Sequence, residues 1–232
     1  MKFPGLVSVV LVGALTPVNA EVQPASPVMP RDLHYTITMN GKPVGSSEVR
    51  VEAEHSGDVM LRIKTRIDIK FMFFSWRYSA TAHETWSGDR LLSAEAETVE
   101  DGDISHTQVT RTADGVVVVT DKGERHLTGT LASTSFWNLP RLPDTPLTLL
   151  DIESGADFRA QARFVKATEI VINDSVMPCH LWQLAAETNT QLWFDHDDVL
   201  LRAEYEEQGQ RFIQTLDRLA AASSQEKQPS IR

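Results

Sequence analysis

Residues able to do chemistry are few and scattered in this 232-residue chain. Cys179 and His180 stand side by side, which suggests a nucleophile and its base, but adjacent residues of a strand point to opposite faces. With one cysteine there is no internal disulfide, and a lone thiol in an oxidising space belongs in the core. Asp195, Asp197 and Asp198 place carboxylates around His196. A calcium loop needs oxygens in ordered spacing and a glycine at its sharp bend, and Asp is itself a favoured turn former, so a turn is expected there. Glu95, Glu97 and Glu100 have no partner in sequence that would select a glycosidase pair. The histidines at 34, 55, 83, 106, 126, 180 and 196 are dispersed and mostly fall on the polar phase of their segments. No nucleophile-elbow serine, phosphate-cradling glycine loop, cysteine pair or HExxH helix is present. No catalytic residue, metal ligand or cofactor is expected.

The strongest claim to function belongs to an aromatic run, Phe71, Phe73, Phe74, Trp76 and Tyr78, with Met72 among it. Such residues can be core. They can also line the opening of a curved sheet, with Phe73, Phe74 and Trp137 at the mouth and an apolar molecule inside. The expected ligand-binding residues are therefore Phe71, Phe73, Phe74, Trp76, Tyr78 and Trp137. An apolar connection without Gly, Asn or Asp calls for cover, either by residues 129–155 or by a ligand.

These residues sit on the clearest strand patterns in the chain. Val59, Leu61, Ile63, Ile67, Ile69 and Phe71 alternate with polar neighbours, and Trp76, Tyr78, Ala80, Ala82 and Trp86 repeat the alternation in even positions. The change of parity requires a turn or bulge near residues 73–75. A bend is expected near Thr65, where the apolar alternation lapses in a long strand. Asn40-Gly41 is a strong hairpin signal, and Gly-containing or Asp-rich turns recur at short intervals through residue 209. Between Gly129 and Gly155 the periodicity lapses, leaving a long loop with at most one helical turn near Thr134–Leu139. The expected fold is all-β: about a dozen strands in an antiparallel meander, curled by twist into a barrel, half-barrel or sandwich.

The N-terminus carries Lys2, an apolar run from Leu6 to Leu15, and Val18-Asn19-Ala20, the pattern of a cleavable export signal cut after Ala20. The expected organisation is a signal peptide at 1–20, a flexible leader at 21–31, one β domain at 32–219 and a disordered tail at 220–232. A periplasmic or secreted location follows, and no segment approaches the roughly 20 apolar residues of a transmembrane helix. The 21 basic and 32 acidic residues left after cleavage give a net charge of −11, which excludes nucleic acid as a partner held by charge.

Several short motifs together resemble an exported bacterial family of unknown function, numbered six-one-three-four. They are Tyr35 with Gly41 and Gly45, Trp76-Arg77-Tyr78, Glu84-Thr85-Trp86, Ser135-Phe136-Trp137-Asn138, Leu149-Leu150-Asp151 with Gly155, and Leu192-Trp193-Phe194-Asp195. The resemblance spans Leu33–Leu219 and implies an exported β-rich fold with no established activity. Phe136 and Phe194 stand where the family commonly has tyrosine, which argues against a catalytic tyrosine at either position. The leading expectation is non-catalytic binding of an apolar or lipid-like molecule. An interaction or assembly module for an envelope protein comes second, and a hydrolase third.

Overall fold

The structure, a computed structural model, describes residues 30–54, 56–71, 74–139, 144, 146–186 and 188–221, with only the backbone of 71, 74 and 218–221. The expected signal peptide and nearly all of the expected leader and tail lie outside the described residues. β1 (Arg31–Met39) and β15 (Gln210–Ala221) carry strand pairing slightly past both ends of 32–219.

Fifteen strands form one sheet. After β1 come β2 (Lys42–Ala53), β3 (Val59–Phe71), β4 (Phe74–Ser87), β5 (Arg90–Glu100), β6 (Asp103–Arg111), β7 (Gly115–Thr120) and β8 (Gly123–Thr128). The second half has β9 (Leu131–Ser133), β10 (Pro146–Leu150), β11 (Asp157–Ile172), β12 (Ser175–Ala185), β13 (Thr190–Phe194) and β14 (Leu200–Glu207) before β15. β1 lies mid-sheet, with β2 to β8 following on one side and β15 back to β9 on the other. Neighbours are antiparallel except β9 and β10. β8 and β9 are consecutive in the chain yet form the two unpaired ends of a nearly closed barrel. Arg125 of β8 helps draw the ends together by an ion pair to Asp157 of β11 at 2.9 Å.

Alternation builds the interior. Leu33, Tyr35 and Ile37 of β1, Val51 of β2, Leu61 and Ile63 of β3, Ala80, Ala82 and Trp86 of β4, and Val116 and Val118 of β7 are all buried. A second cluster around Trp182, Leu184, Leu192 and Phe194 fills the other half. Among the described residues no helix is long and apolar enough to cross a membrane.

Three local expectations are corrected. The 129–155 stretch is not one loop, because β9 and β10 lie within it; their three- and five-residue lengths are too short to show a period. Thr134–Leu139 makes no α-helical turn, since Phe136 N–H bonds to Ser133 O and Leu139 N–H to Phe136 O, two successive tight turns with Phe136 at φ 58°. β3 keeps unbroken register with β2 and β4 through Thr65, so the lapse in apolar alternation there is not a bulge but a polar residue facing the interior. The parity change between β3 and β4 needs only a two-residue connection, for Phe71 pairs directly with Phe74.

Gly45 shows how tightly the strands are set. A Cβ there would stand 2.1 Å from the Arg66 carbonyl oxygen, a backbone atom that cannot rotate away. Gly45→Ala is expected to cost about 1–3 kcal/mol of overpacking in urea-unfolding measurements, whereas an unchanged midpoint would show that β2 shifts freely.

Candidate functional site

The even residues of β4 face the barrel interior, and one of them is a carboxylic acid. Glu84 is 1% exposed between Ala82 and Trp86. Its Oε2 accepts hydrogen bonds from Trp86 Nε1 at 2.8 Å, Ser133 Oγ at 2.9 Å and Ser135 Oγ at 3.0 Å. The two serine hydroxyls are 2.6 Å apart. Glu84 Oε2 and the serine oxygens thus form a triangle with two hydroxyl protons for three edges, and protonated Glu84 supplies the third. Burial pushes the Glu84 carboxyl up to about 6, against the pull of its three hydrogen bonds.

A second acid enters from the opposite wall. The 151–156 turn is locked by Asp151, whose Oδ1 accepts from Glu153 N–H at 3.1 Å and Thr134 Oγ at 3.2 Å. That turn aims Glu153 across the barrel, where it accepts hydrogen bonds from the Tyr78 hydroxyl and, at 3.2 Å, from Thr65 Oγ. Its main-chain carbonyl accepts from Thr98 Oγ at 2.9 Å. Burial raises the Glu153 carboxyl, and it raises the Tyr78 hydroxyl with further help from the Glu153 charge. Gly155, at φ 71°, packs so closely on β6 and β7 that a Cβ would meet the Thr120 methyl at 2.5 Å. Asn138 is buried and donates to Asp89 O at 3.1 Å and Leu131 O at 3.0 Å. Residues 134–139 and 151–156, flanking β9 and β10, therefore form an internal plug, held with Ser133 to β3, β4 and β5 through polar side chains.

At the Met39 end of the barrel the lining changes character. Trp76 and Tyr78 stack with ring centroids 5.5 Å apart, and Tyr205 and Phe212 stack at 5.4 Å. Direct cross-strand partners share a face, so the pairings Ile67 with Tyr78, Met39 with Phe212, and Phe212 with Tyr205 point all four rings inward. All four are half-buried. Trp76 Nε1 donates to Glu100 at 2.8 Å. Burial, then the charges of Glu207, Glu153 and Asp151, pushes the Tyr205 hydroxyl up to about 12.

Of the six residues singled out from sequence, Trp76 and Tyr78 come together in this lining. Phe71 and Phe74 close the β3–β4 hairpin, but their side chains and the whole of Phe73 lie outside the described residues. Trp137 is not brought to them. It packs on the main core with the Arg31 guanidinium 5.7 Å from its ring centre, and Arg31 begins β1 whereas Met39 ends it. Cys179 is buried, and His180, on the other face, packs its edge against Phe164 at 5.8 Å. Asp195, His196 and Asp197 lie close together. Asp195 Oδ1 is already occupied by the N–H groups of Asp197 at 2.9 Å and Val199 at 2.8 Å, so the group shapes a hairpin turn.

Sequence reasoning missed Glu153, Thr98, Tyr205 and Phe212; Glu84, quoted as part of a family motif, and Thr65, read as a bend, each carried a readable signal. Glu84 and Thr65 are polar residues on the apolar phase of long strands. Glu153 carries no such mark, because its position depends on the turn that Asp151 holds.

A family model described as "Domain of unknown function (DUF6134)" matches residues 35–217. The chain belongs to this family. Tyr78, Glu84, Trp86, Ser135, Asn138, Asp151 and Gly155, which carried the sequence resemblance, are residues that anchor the plug or touch it in this DUF6134 chain. The fold is similar to a crystal structure of a β-barrel-like protein of domain of unknown function DUF1849 from Brucella abortus. That likeness has a TM-score of 0.64 at 11% identity, covering 84% of this chain and 99% of the other. A crystal structure of MucB aligns with a TM-score of 0.34 at 12% identity, over 88% of this chain and 57% of the other, a likeness too slight to bear on the fold. No curated protein matches.

The raised Glu84 carboxyl has a defined sign in stability. Between the ordinary value of 4.5 and the folded value of about 6 the native state holds more protons than the unfolded chain, so stability falls as pH rises through that window. The shift corresponds to about 2 kcal/mol. Urea unfolding at pH 4.5 and pH 7 is expected to show a fall of about that size in the wild type beyond the fall in Glu84→Gln. Parallel pH profiles for the two proteins would place the carboxyl in water instead.

Proposed function

We propose that this DUF6134 chain is an exported, non-catalytic protein that binds the apolar part of a lipid-like molecule at the Met39 end of its barrel. The observation that carries the reading is the pair of aromatic stacks, Trp76 on Tyr78 and Tyr205 on Phe212, which face inward and stay half-exposed. Rings left partly wet at an opening gain about 25 cal/mol for each Å² an alkyl chain covers. The plug supplies a polar floor through Glu153 and Tyr78, suited to an amphiphile whose hydroxyl or carboxyl ends inside. Phe71, Phe73 and Phe74 join the proposed site on the sequence reading alone. Trp137, at the far end with Arg31, serves the plug. Export follows from the Lys2, Leu6–Leu15 and Val18-Asn19-Ala20 pattern, with a periplasmic or secreted destination. Glu84 is enclosed by protein on all its bonding sides, which suits a structural carboxylate better than one facing a substrate.

A second reading, an assembly module for an envelope protein, draws on a different feature. Phe164, Val165, Val171 and Val176 of the β11–β12 hairpin are 44–62% exposed, and Val171 pairs with Val176 across the strands. In-cell photocrosslinking from position 176 that captures one dominant envelope protein would favour it, and capture of none would set it aside.

For the leading reading, titration of the mature chain with the fluorescent fatty acid cis-parinaric acid is expected to saturate. The double variant Trp76→Ala with Phe212→Ala is expected to bind roughly tenfold more weakly, a loss of about 1.4 kcal/mol. Absence of binding by the wild type, together with no copurifying lipid in native mass spectrometry of envelope-derived protein, would overturn it.

A further inference from the structure

The outer face of β3, β4 and β5 carries a separate pocket of about 320 Å³, at the corner closed by the β5–β6 turn. Arg66, Asp68, Arg77, Ser79, Val99 and Asp101 line it, together with Ile67 and Tyr78 between them in the chain and Gly102 after Asp101. The first four are the residues of β3 and β4 of opposite parity to Ile67 and Tyr78, so they point away from the barrel interior. The register sets Arg66 opposite Ser79 and Asp68 opposite Arg77, which puts the two guanidinium-bearing residues on one diagonal of the same face.

Three features mark this pocket as built for a ligand. First, Arg50, Arg62, Arg125 and Arg211 each meet a carboxylate within 2.6–3.2 Å, whereas Arg66 and Arg77, adjacent in one pocket, join Arg90 and Arg159 in having none. Arg66 and Arg77 make no side-chain hydrogen bond or ion pair among the described residues, although the chain has ten more acidic than basic residues. Second, Asp68 stands in the same wall with its side chain 36% exposed; its Oδ1 is closed off from solvent, and its Oδ2 faces out and meets Lys70 at 3.4 Å. Third, the rim is rigid. Asp101 N–H donates to Arg77 O at 2.9 Å, and Arg77 N–H donates to Asp101 Oδ1 at 2.8 Å, with Asp101 and Gly102 both at positive φ.

The donor set defines the ligand class. Two guanidinium forks ask for an oxyanion, which they bind bidentately. The Asp68 carboxylate, open to the pocket through Oδ2, asks for a cationic N–H donor in the same molecule. We propose that this pocket binds a small zwitterion in which a phosphate lies a few bonds from an ammonium, the chemistry of phosphoethanolamine. Arg66 and Arg77 take the phosphate and Asp68 takes the ammonium. The molecule can arrive as a free solute or as a lipid headgroup. This site faces outward and does not rest on the aromatic lining of the interior.

Calorimetric titration of the mature chain with O-phosphoethanolamine and with inorganic phosphate tests the assignment. The wild type is expected to bind both, the former more tightly. Arg66→Gln with Arg77→Gln is expected to weaken both by roughly tenfold or more. Asp68→Asn is expected to weaken phosphoethanolamine and leave inorganic phosphate unchanged. These side chains point outward, and an unchanged unfolding midpoint verifies that each variant is folded. Vesicles of phosphatidylethanolamine in phosphatidylcholine identify the source. Cosedimentation that the double variant loses assigns a lipid headgroup, while binding of the soluble compound alone assigns a free solute, and each supports the pocket. No heat from either compound at millimolar concentration, or a double variant that binds as the wild type does, would overturn it. The variant lacking Trp76 and Phe212 rings should keep its affinity for phosphoethanolamine, so failure of the interior site and failure of this one are told apart.

Discussion

A barrel this wide cannot fill itself with the side chains of its own wall. Fifteen strands enclose more volume than alternating Val, Leu and Ala residues can occupy, and interior voids forfeit both dispersion contacts and burial. The chain meets that constraint by turning residues 134–139 and 151–156 inward, and irregular backbone inside a sheet brings polar groups that need partners. Glu84 is the central partner. One carboxylate oxygen gathers Trp86 from its own strand and Ser133 and Ser135 from the plug. Glu153 repeats the arrangement in reverse, a plug residue held by Thr65 and Tyr78 of the wall.

Burying two acids is costly, and the protein offsets the cost in two ways. Each acid sits among hydroxyl or indole donors, and both carboxyls are shifted toward their neutral forms by burial. A neutral carboxyl both donates and accepts, which is why the Glu84 triangle closes only with a proton on the acid. Filling the Glu84 end with plug leaves the opposite end to aromatic rings that are neither fully packed nor fully wet. The polar seal at one end and the aromatic opening at the other are thus two results of one packing problem. The outer wall of β3 and β4 carries a different chemistry again, because the same strands that present Ile67 and Tyr78 inward present Arg66, Asp68 and Arg77 outward.

Much of the wall was legible in sequence. Alternation located β1 to β4, β11 and β13 to β15, recurrent turns divided β5 to β8, Asn40-Gly41 marked the first hairpin, and the Asp195 turn and buried Cys179 followed from the chemistry of turns and thiols. The site was less legible. Trp76 and Tyr78 were visible as one aromatic run, yet the second stack at the same end, Tyr205 on Phe212, comes from strands over 120 residues away, with no local signal that they share that end. Thr65 looked like a break in a strand when it is the wall's answer to Glu153.

Period-two patterning and turn residues are local properties, so the chain by itself determined the all-β class, the hairpin sequence, the acidic surface and the absence of catalytic motifs. What needed tertiary structure was everything that depends on closure: that β9 and β10 pair in parallel, that the patternless stretch folds into the interior, that Glu84 is a buried acid, and that Trp137 and Trp76 sit at opposite ends. Those outcomes depend on which residues far apart in the chain come to share an enclosed space, and a one-dimensional pattern carries no measure of that space.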